Sequence, residues 1–342
     1  MGNDALVARR AFVGGSLLAL AGIRSAFANT SPSINERMQG EVEPVHDPCI
    51  IKQGDSYYVF STNTKADTAG FVACRRSRDL LSWERAGYVF SQIPEWAHDA
   101  VPSAKGLWAP DISFVDGQYR LYYSASSFGS NNSVIGLATN KTLDPDEPGF
   151  EWVDRGLVVR SRAHDKFNAI DPNLVVDREG KHWLSWGSFW SGLKMFRVDP
   201  ATGKRLEGEE MISIASRGVG RGAPNPVEAP FIITHGDFYY LFASYDFCCR
   251  GAKSTYFVAC GRSRDIKGPY VDVNGVSLLE GGGSVVIQGN DRFKGVGHNA
   301  VLHEGERDYL VYHAYDIEKK GSPTLRISPI YWTPDGWPRA QL

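Results

Sequence analysis

The sequence predicts an all-β fold: a five-bladed β-propeller with four antiparallel strands in each blade. Three observations carry that expectation. A hairpin pattern recurs five times, the copies are evenly spaced, and almost no segment shows the period of an amphipathic helix. The first copy, Val45 to Ser61, reads as an acidic turn, a short apolar run, a Gly54-Asp55 turn and the aromatic run Tyr57-Tyr58-Val59-Phe60. Two such runs joined by a Gly-Asp pair are a hairpin signature. The later copies open at Trp108-Ala109-Pro110-Asp111, Ile170-Asp171-Pro172-Asn173, Glu228-Ala229-Pro230 and His298-Asn299-Ala300, each followed by a Gly-containing turn and a second aromatic run.

Anchored on Tyr57, Tyr119, Trp183, Tyr239 and Tyr309, the copies are 62, 64, 56 and 70 residues apart. Ala73-Cys74-Arg75-Arg76-Ser77-Arg78-Asp79 matches Ala259-Cys260-Gly261-Arg262-Ser263-Arg264-Asp265 at six of seven positions, 186 residues on, which is three steps of 62. In the second copy a third and a fourth strand are expected at Val134–Thr139 and Phe150–Val153, and in the fourth copy at Tyr256–Cys260 and Pro269–Asp272. A four-stranded unit cannot bury both faces alone, whereas five arranged radially can.

Residues 1–28 read as an export signal and residues 29–342 as one propeller domain. Arg9-Arg10 precedes an apolar run from Val13 to Ile23, and Ala26-Phe27-Ala28 supplies a small-residue cleavage site. The paired arginines suggest a twin-arginine leader, although Ala8 stands where Ser or Thr is usual. An exported protein, periplasmic or extracellular, is expected, and a monomer. A net charge of -2 leaves no electrostatic footprint for nucleic acid or an anionic membrane. A neutral, aromatic-rich surface suits sugars better. The cysteines are too few and too irregular for a disulfide framework or a zinc site. Cys74 and Cys260 are expected as small buried residues, and Cys248-Cys249 as loop packing beside the site.

In a propeller the innermost strands line the central channel, so the openings Asp47, Asp111, Asp171, Glu228 and His298 converge at one mouth with Trp108. Cleaving a glycosidic bond commonly needs a carboxylic acid for the leaving oxygen and a carboxylate to activate water, and a third charge nearby tunes the acid. A single Asp-Pro is an ordinary turn starter; its recurrence in separate blades is what suggests a site. Asp111 follows its proline instead of preceding it and is expected to be structural.

These residues resemble glycoside hydrolase family 43, inverting enzymes, and within it the endo-α-1,5-L-arabinanases. The resemblance spans about residues 40 to 338 and rests on Val45-His46-Asp47-Pro48, Trp108-Ala109-Pro110-Asp111, Ser127-Phe128-Gly129-Ser130, Asn168-Ala169-Ile170-Asp171-Pro172-Asn173, Val227-Glu228-Ala229-Pro230, Phe247-Cys248-Cys249-Arg250-Gly251 and Gly297-His298-Asn299-Ala300. It implies Asp47 as general base, Glu228 as general acid and Asp171 as the residue that orients the acid and modulates its pKa. It further implies a calcium ion in the channel with His298 as ligand, sugar contacts from Trp108, Phe128, Asn168 and Ser188, and arabinan or arabino-oligosaccharides as substrate. An exo-acting arabinofuranosidase or β-xylosidase, or a glycan-binding propeller without catalysis, stands as the alternative. Cys49 and the loop Arg217 to Asn225 depart from the family pattern.

Overall fold

The structure, a computed structural model, describes residues 32–217 and 224–342. The leader expected at residues 1–28 and most of the loop Arg217 to Asn225 lie outside them. Ser33–Leu342 is one compact unit, a propeller of five sheets. Each blade is built on an up-and-down meander in which sequence neighbours pair antiparallel, so its register is set locally by short turns, and in blade one Gln39–Gly40 adds a short parallel strand at the outer edge. Blade one comprises Cys49–Gln53, Ser56–Ser61, Phe71–Ser77 and Ser82–Phe90; blade two, Leu107–Val115, Gln118–Ala125, Ser133–Asn140 and Val153–Ser161. Blade three comprises Asn173–Val176, His182–Trp186, Leu193–Val198 and Ile212–Ala215; blade four, Val227–His235, Phe238–Tyr245, Phe257–Ser263 and Ser284–Ile287.

Blade five has three strands, Phe293–Glu304, Arg307–Asp316 and Ser322–Pro329, with a separate ribbon of Tyr331–Trp332 and Pro338–Arg339. The expected fourth strand is replaced by the chain's beginning. Leu325 N–H donates to Val42 C=O at 2.9 Å, and Val45 N–H to Pro323 C=O at 3.0 Å. Asn35 Oδ1 accepts from Ile327 N–H at 2.8 Å. Arg75, fully buried in blade one, donates to Pro44 C=O at 2.9 Å. The segment between is thus tied to the first and the last blade together, which closes the ring and covers an edge that would otherwise be left unpaired.

Two strand positions differ from expectation. The outer strand of blade two begins at Val153, after the Pro148-Gly149 turn, instead of at Phe150. In blade four Pro269–Asp272 makes only isolated bridges through Val271. Pro269 has no N–H for a ladder, and Asp272 spends its carboxylate on the N–H groups of Asn274, Val276 and Gly283, which turns the chain. The strand that pairs with Phe257–Ser263 is therefore Ser284–Ile287, one turn later. Apolar packing lies between blades. Tyr122, Leu137, Trp186 and Phe196 pack between blades two and three, and Tyr240, Phe242, Leu310 and Trp337 between four and five. Cys260 is a buried thiol in the layer between four and five, and Cys74 a buried thiol in the core around blade one.

Candidate active site

Just before or within every inner strand one non-glycine residue adopts a left-handed backbone: Asp47 (φ 50°), Ala109 (φ 46°), Asp171 (φ 60°), Ala229 (φ 55°) and His298 (φ 50°). Such residues are uncommon, so their fivefold recurrence defines the equivalent position in each blade. The first four precede Pro48, Pro110, Pro172 and Pro230. Glu228 therefore sits one place earlier in its blade, at the position of Trp108, and Asp111 two places later than Asp47 does in its own. Each strained turn is held from outside its own strand. Thr62 Oγ1 accepts from Ala109 N–H at 2.6 Å, Ser124 Oγ from Asp171 N–H at 3.1 Å, and Ser244 Oγ from His298 N–H at 2.8 Å. His313 Nδ1 accepts from Asp47 N–H at 3.1 Å, and Asp171 Oδ2 from Ala229 N–H at 3.3 Å.

Above these turns opens a cavity of about 870 Å³, lined by Asp47, Asp171 and Glu228, by His298, and by Trp108, Phe128, Asn168 and Ser188. The eight residues singled out in the sequence are thus together. Asp111 is not in this cavity. It lies below, where its carboxylate accepts from Asn173 Nδ2 at 3.1 Å and Leu174 N–H at 2.8 Å, and burial pushes its pKa up to about 7 against those bonds. Phe128 stands 83% exposed at the rim, free to meet a ligand face. Asn168 spends Oδ1 on Ser133 Oγ, and Ser188 spends its hydroxyl on Glu228, so both brace the site as well as line it.

Asp47 is buried among donors. Its Oδ2 accepts from Thr62 Oγ1 at 2.6 Å and lies 2.9 Å from His46 Nδ1; its Oδ1 lies 3.1 Å from His298 Nδ1. Burial opposes ionisation, but the charges of His298 and His46 outweigh it and hold the carboxyl well below the usual range. Asp171 goes the other way. Burial, aided by the nearby charges of Glu228 and Asp47 and opposed by His298, pushes it well above the usual range. Glu228 accepts from Ser188 Oγ at 2.6 Å and from Tyr256 Oη at 2.7 Å, one on each oxygen. Three carboxyl groups in one pocket are thus given three environments.

Below the acids a cavity of about 10 Å³, room on the order of one small ion or water, is lined by Asp111, Asp171, His298 and Asn299. Asn299 is buried with neither amide atom bonded. The pocket wall holds a feature the sequence expectation lacked: Cys248 and Cys249 are joined by a disulfide. His46, Thr62, Tyr256, His313 and Tyr315 are the site residues missed. Of these, His46 and Tyr256 adjoin or belong to segments with recognisable motifs, while the others sit on or just past second strands with no local mark.

Residues 43–338 match the family model for glycosyl hydrolases family 43. The chain belongs to this family. It is 42% identical, over 86% of its own length and 86% of the relative's, to an extracellular exo-α-(1→5)-L-arabinofuranosidase of Cellvibrio japonicus. It is 40% identical, over 91% and 92%, to an extracellular endo-α-(1→5)-L-arabinanase of Bacillus subtilis. The structure of the Cellvibrio cellulosa α-L-arabinanase in complex with arabinohexaose superposes with a TM-score of 0.82 at 40% identity, covering 88% of this chain and 96% of that one. This family 43 protein is a glycoside hydrolase with the propeller fold of the family's arabinanases.

Proposed function

We propose that this enzyme hydrolyses internal α-1,5-L-arabinofuranosidic links of arabinan by a single displacement with inversion, after export from the cell. The observation that carries the reading is Asp47, Asp171 and Glu228 brought together in one pocket, with Asp47 held ionised, in a chain whose relatives are arabinan-degrading enzymes. Asp47, held ionised by His46 and His298, takes a proton from water as the water oxygen bonds to the anomeric carbon. The bond from that carbon to the leaving oxygen breaks, and Glu228 delivers its proton there. Asp171 links the two. Its carboxyl interacts electrostatically with both Glu228 and Asp47, and its bond to Ala229 N–H fixes the backbone beside the acid. Trp108 and Phe128 offer aromatic faces for furanose rings. Two relatives named extracellular support export.

A calcium ion fits the channel residues. His298 would hold it, and the unpaired buried Asn299 would supply the oxygen such a cation prefers. Bound there, it would add positive charge beneath the acids. The exo-acting alternative has a specific support, the exo-acting relative at 42% identity. A product time course on linear arabinan, with and without a chelator, tests all three points. A spread of oligomers from the first minutes is expected, monosaccharide alone would establish the exo mode, and unchanged polymer would overturn the reading. Chelation is expected to slow turnover and calcium to restore it; indifference to both would remove the ion.

A further inference from the structure

Both proposed catalytic carboxylates are reached by one loop of blade four, the segment Phe247 to Tyr256. At its far end Tyr256, fully buried, donates its hydroxyl to Glu228 Oε1 at 2.7 Å. Near its start, Cys249 N–H donates to the Tyr315 hydroxyl at 2.9 Å, and Tyr315 Oη lies 2.7 Å from His46 Nε2. Tyr315 thus joins the Cys249 N–H to the imidazole whose other nitrogen, Nδ1, faces Asp47 Oδ2 at 2.9 Å. A continuous chain of hydrogen-bond contacts therefore runs from Cys249 through Tyr315 and His46 to Asp47.

The loop is internally braced as such a role requires. Thr255 and Tyr256 N–H both donate to Phe247 C=O, at 2.9 and 3.2 Å, and Arg250 N–H donates to Ser254 Oγ at 3.1 Å. Cys249 is left-handed (φ 66°) and joined to Cys248, so the N–H that starts the chain is fixed on both sides. Phe247, Cys248, Cys249 and Arg250 also line the pocket, where a sugar would meet them.

We infer that the Phe247 to Tyr256 loop is the positioning element for acid and base together. Tyr256 sets the acid arm, Tyr315 carries the base arm, and the Cys248–Cys249 disulfide locks the N–H from which the base arm begins. This rests on the assignment of Asp47 as base and Glu228 as acid. Its consequence is that the two arms are separable by leaving group, because an activated aryl group departs without a proton while water still needs a base.

The test compares Tyr256→Phe, Tyr315→Phe and the Cys248→Ser/Cys249→Ser double variant on linear arabinan and on a 2,4-dinitrophenyl α-1,5-arabinotrioside. Thermal unfolding checks that each variant is folded. Losing one hydrogen bond is expected to lower kcat on arabinan about tenfold in each tyrosine variant, and releasing the Cys249 N–H to lower it in the double serine variant, with KM unchanged. On the aryl substrate Tyr256→Phe should regain wild-type kcat, whereas Tyr315→Phe and the double serine variant should not. Wild-type kcat in either tyrosine variant on arabinan, or equal losses on both substrates for both tyrosine variants, would overturn the two-arm role. Asp47→Asn and Glu228→Gln run beside them, and wild-type activity in either would instead overturn the assignment beneath it.

Discussion

A carboxylate that receives a proton from water has to be ionised when substrate arrives, and in this pocket that condition is met by neighbours more than by solvent. Thr62 illustrates how closely residue and backbone are joined. Its hydroxyl gives its proton to Asp47 Oδ2 and accepts from Ala109 N–H, both at 2.6 Å. Thr62→Val keeps the shape and removes both bonds. It is expected to lower kcat on arabinan and to cost about 1–3 kcal/mol of stability, the price of an unmade buried bond, measurable together by steady-state kinetics and urea unfolding. Asp47 and Asp171 were legible in the sequence because Asp-Pro marks the left-handed turn that each occupies. Glu228 was legible only by its motif, since it stands one place out of phase with them. Tyr256 and Tyr315 were not legible as partners of the acids. Each lies on or beside a strand, where an aromatic residue reads as core, and the Tyr315 contact with His46 joins the last blade to the first, far apart in sequence.

At the scale of elements, inner and second strands were readable because Gly-Asp and similar pairs fix short hairpins. Outer strands were not, because their starts depend on side chains that redirect the chain, such as Asp272 in blade four. Some outer strands are also held by other blades. Lys204, in the loop before the last strand of blade three, donates to the carbonyls of Arg155, Gly156 and Leu157 in the outer strand of blade two, at 2.5, 2.8 and 2.6 Å. Lys204→Met is expected to cost about 1–3 kcal/mol through those carbonyls, seen as a lower Tm with kcat unchanged. Blade five carries a pH-dependent tie. Asp316 is buried, which opposes ionisation, but hydrogen bonds from Arg292 and Glu318 N–H hold its carboxyl below the usual range. An unfolded Asp titrates near pH ~4, so this stabilisation is complete above that value and is lost as pH falls below it through the folded pKa. Arg292→Gln should lower the urea midpoint above pH ~4, with the variant and wild type converging as pH falls further; a constant difference at all pH would refute the tie.

For the whole molecule, five copies of a hairpin announced the propeller, but nothing in them showed how the ring closes. Closure depends on residues before the first repeat, where no pattern exists to be read. Asn35 shows the dependence: it accepts from Ile327 N–H and its Nδ2 donates to Ser328 Oγ at 3.2 Å, nearly the full chain away. Asn35→Ala leaves that N–H unpaired and is expected to cost about 1–3 kcal/mol, read as a lower Tm by calorimetry; no change would show that the edge is closed by Val42 and Val45 alone. The ring matters to function because the proposed base stands in the first blade, its partners His298 and His313 in the last, and the acid in the fourth. These blades together would perform the proposed single displacement on arabinan. Proton NMR of the first reducing ends released from linear α-1,5-arabinan reads its stereochemistry. The β-anomer should appear first and then mutarotate toward equilibrium; the α-anomer appearing first would rule the single displacement out.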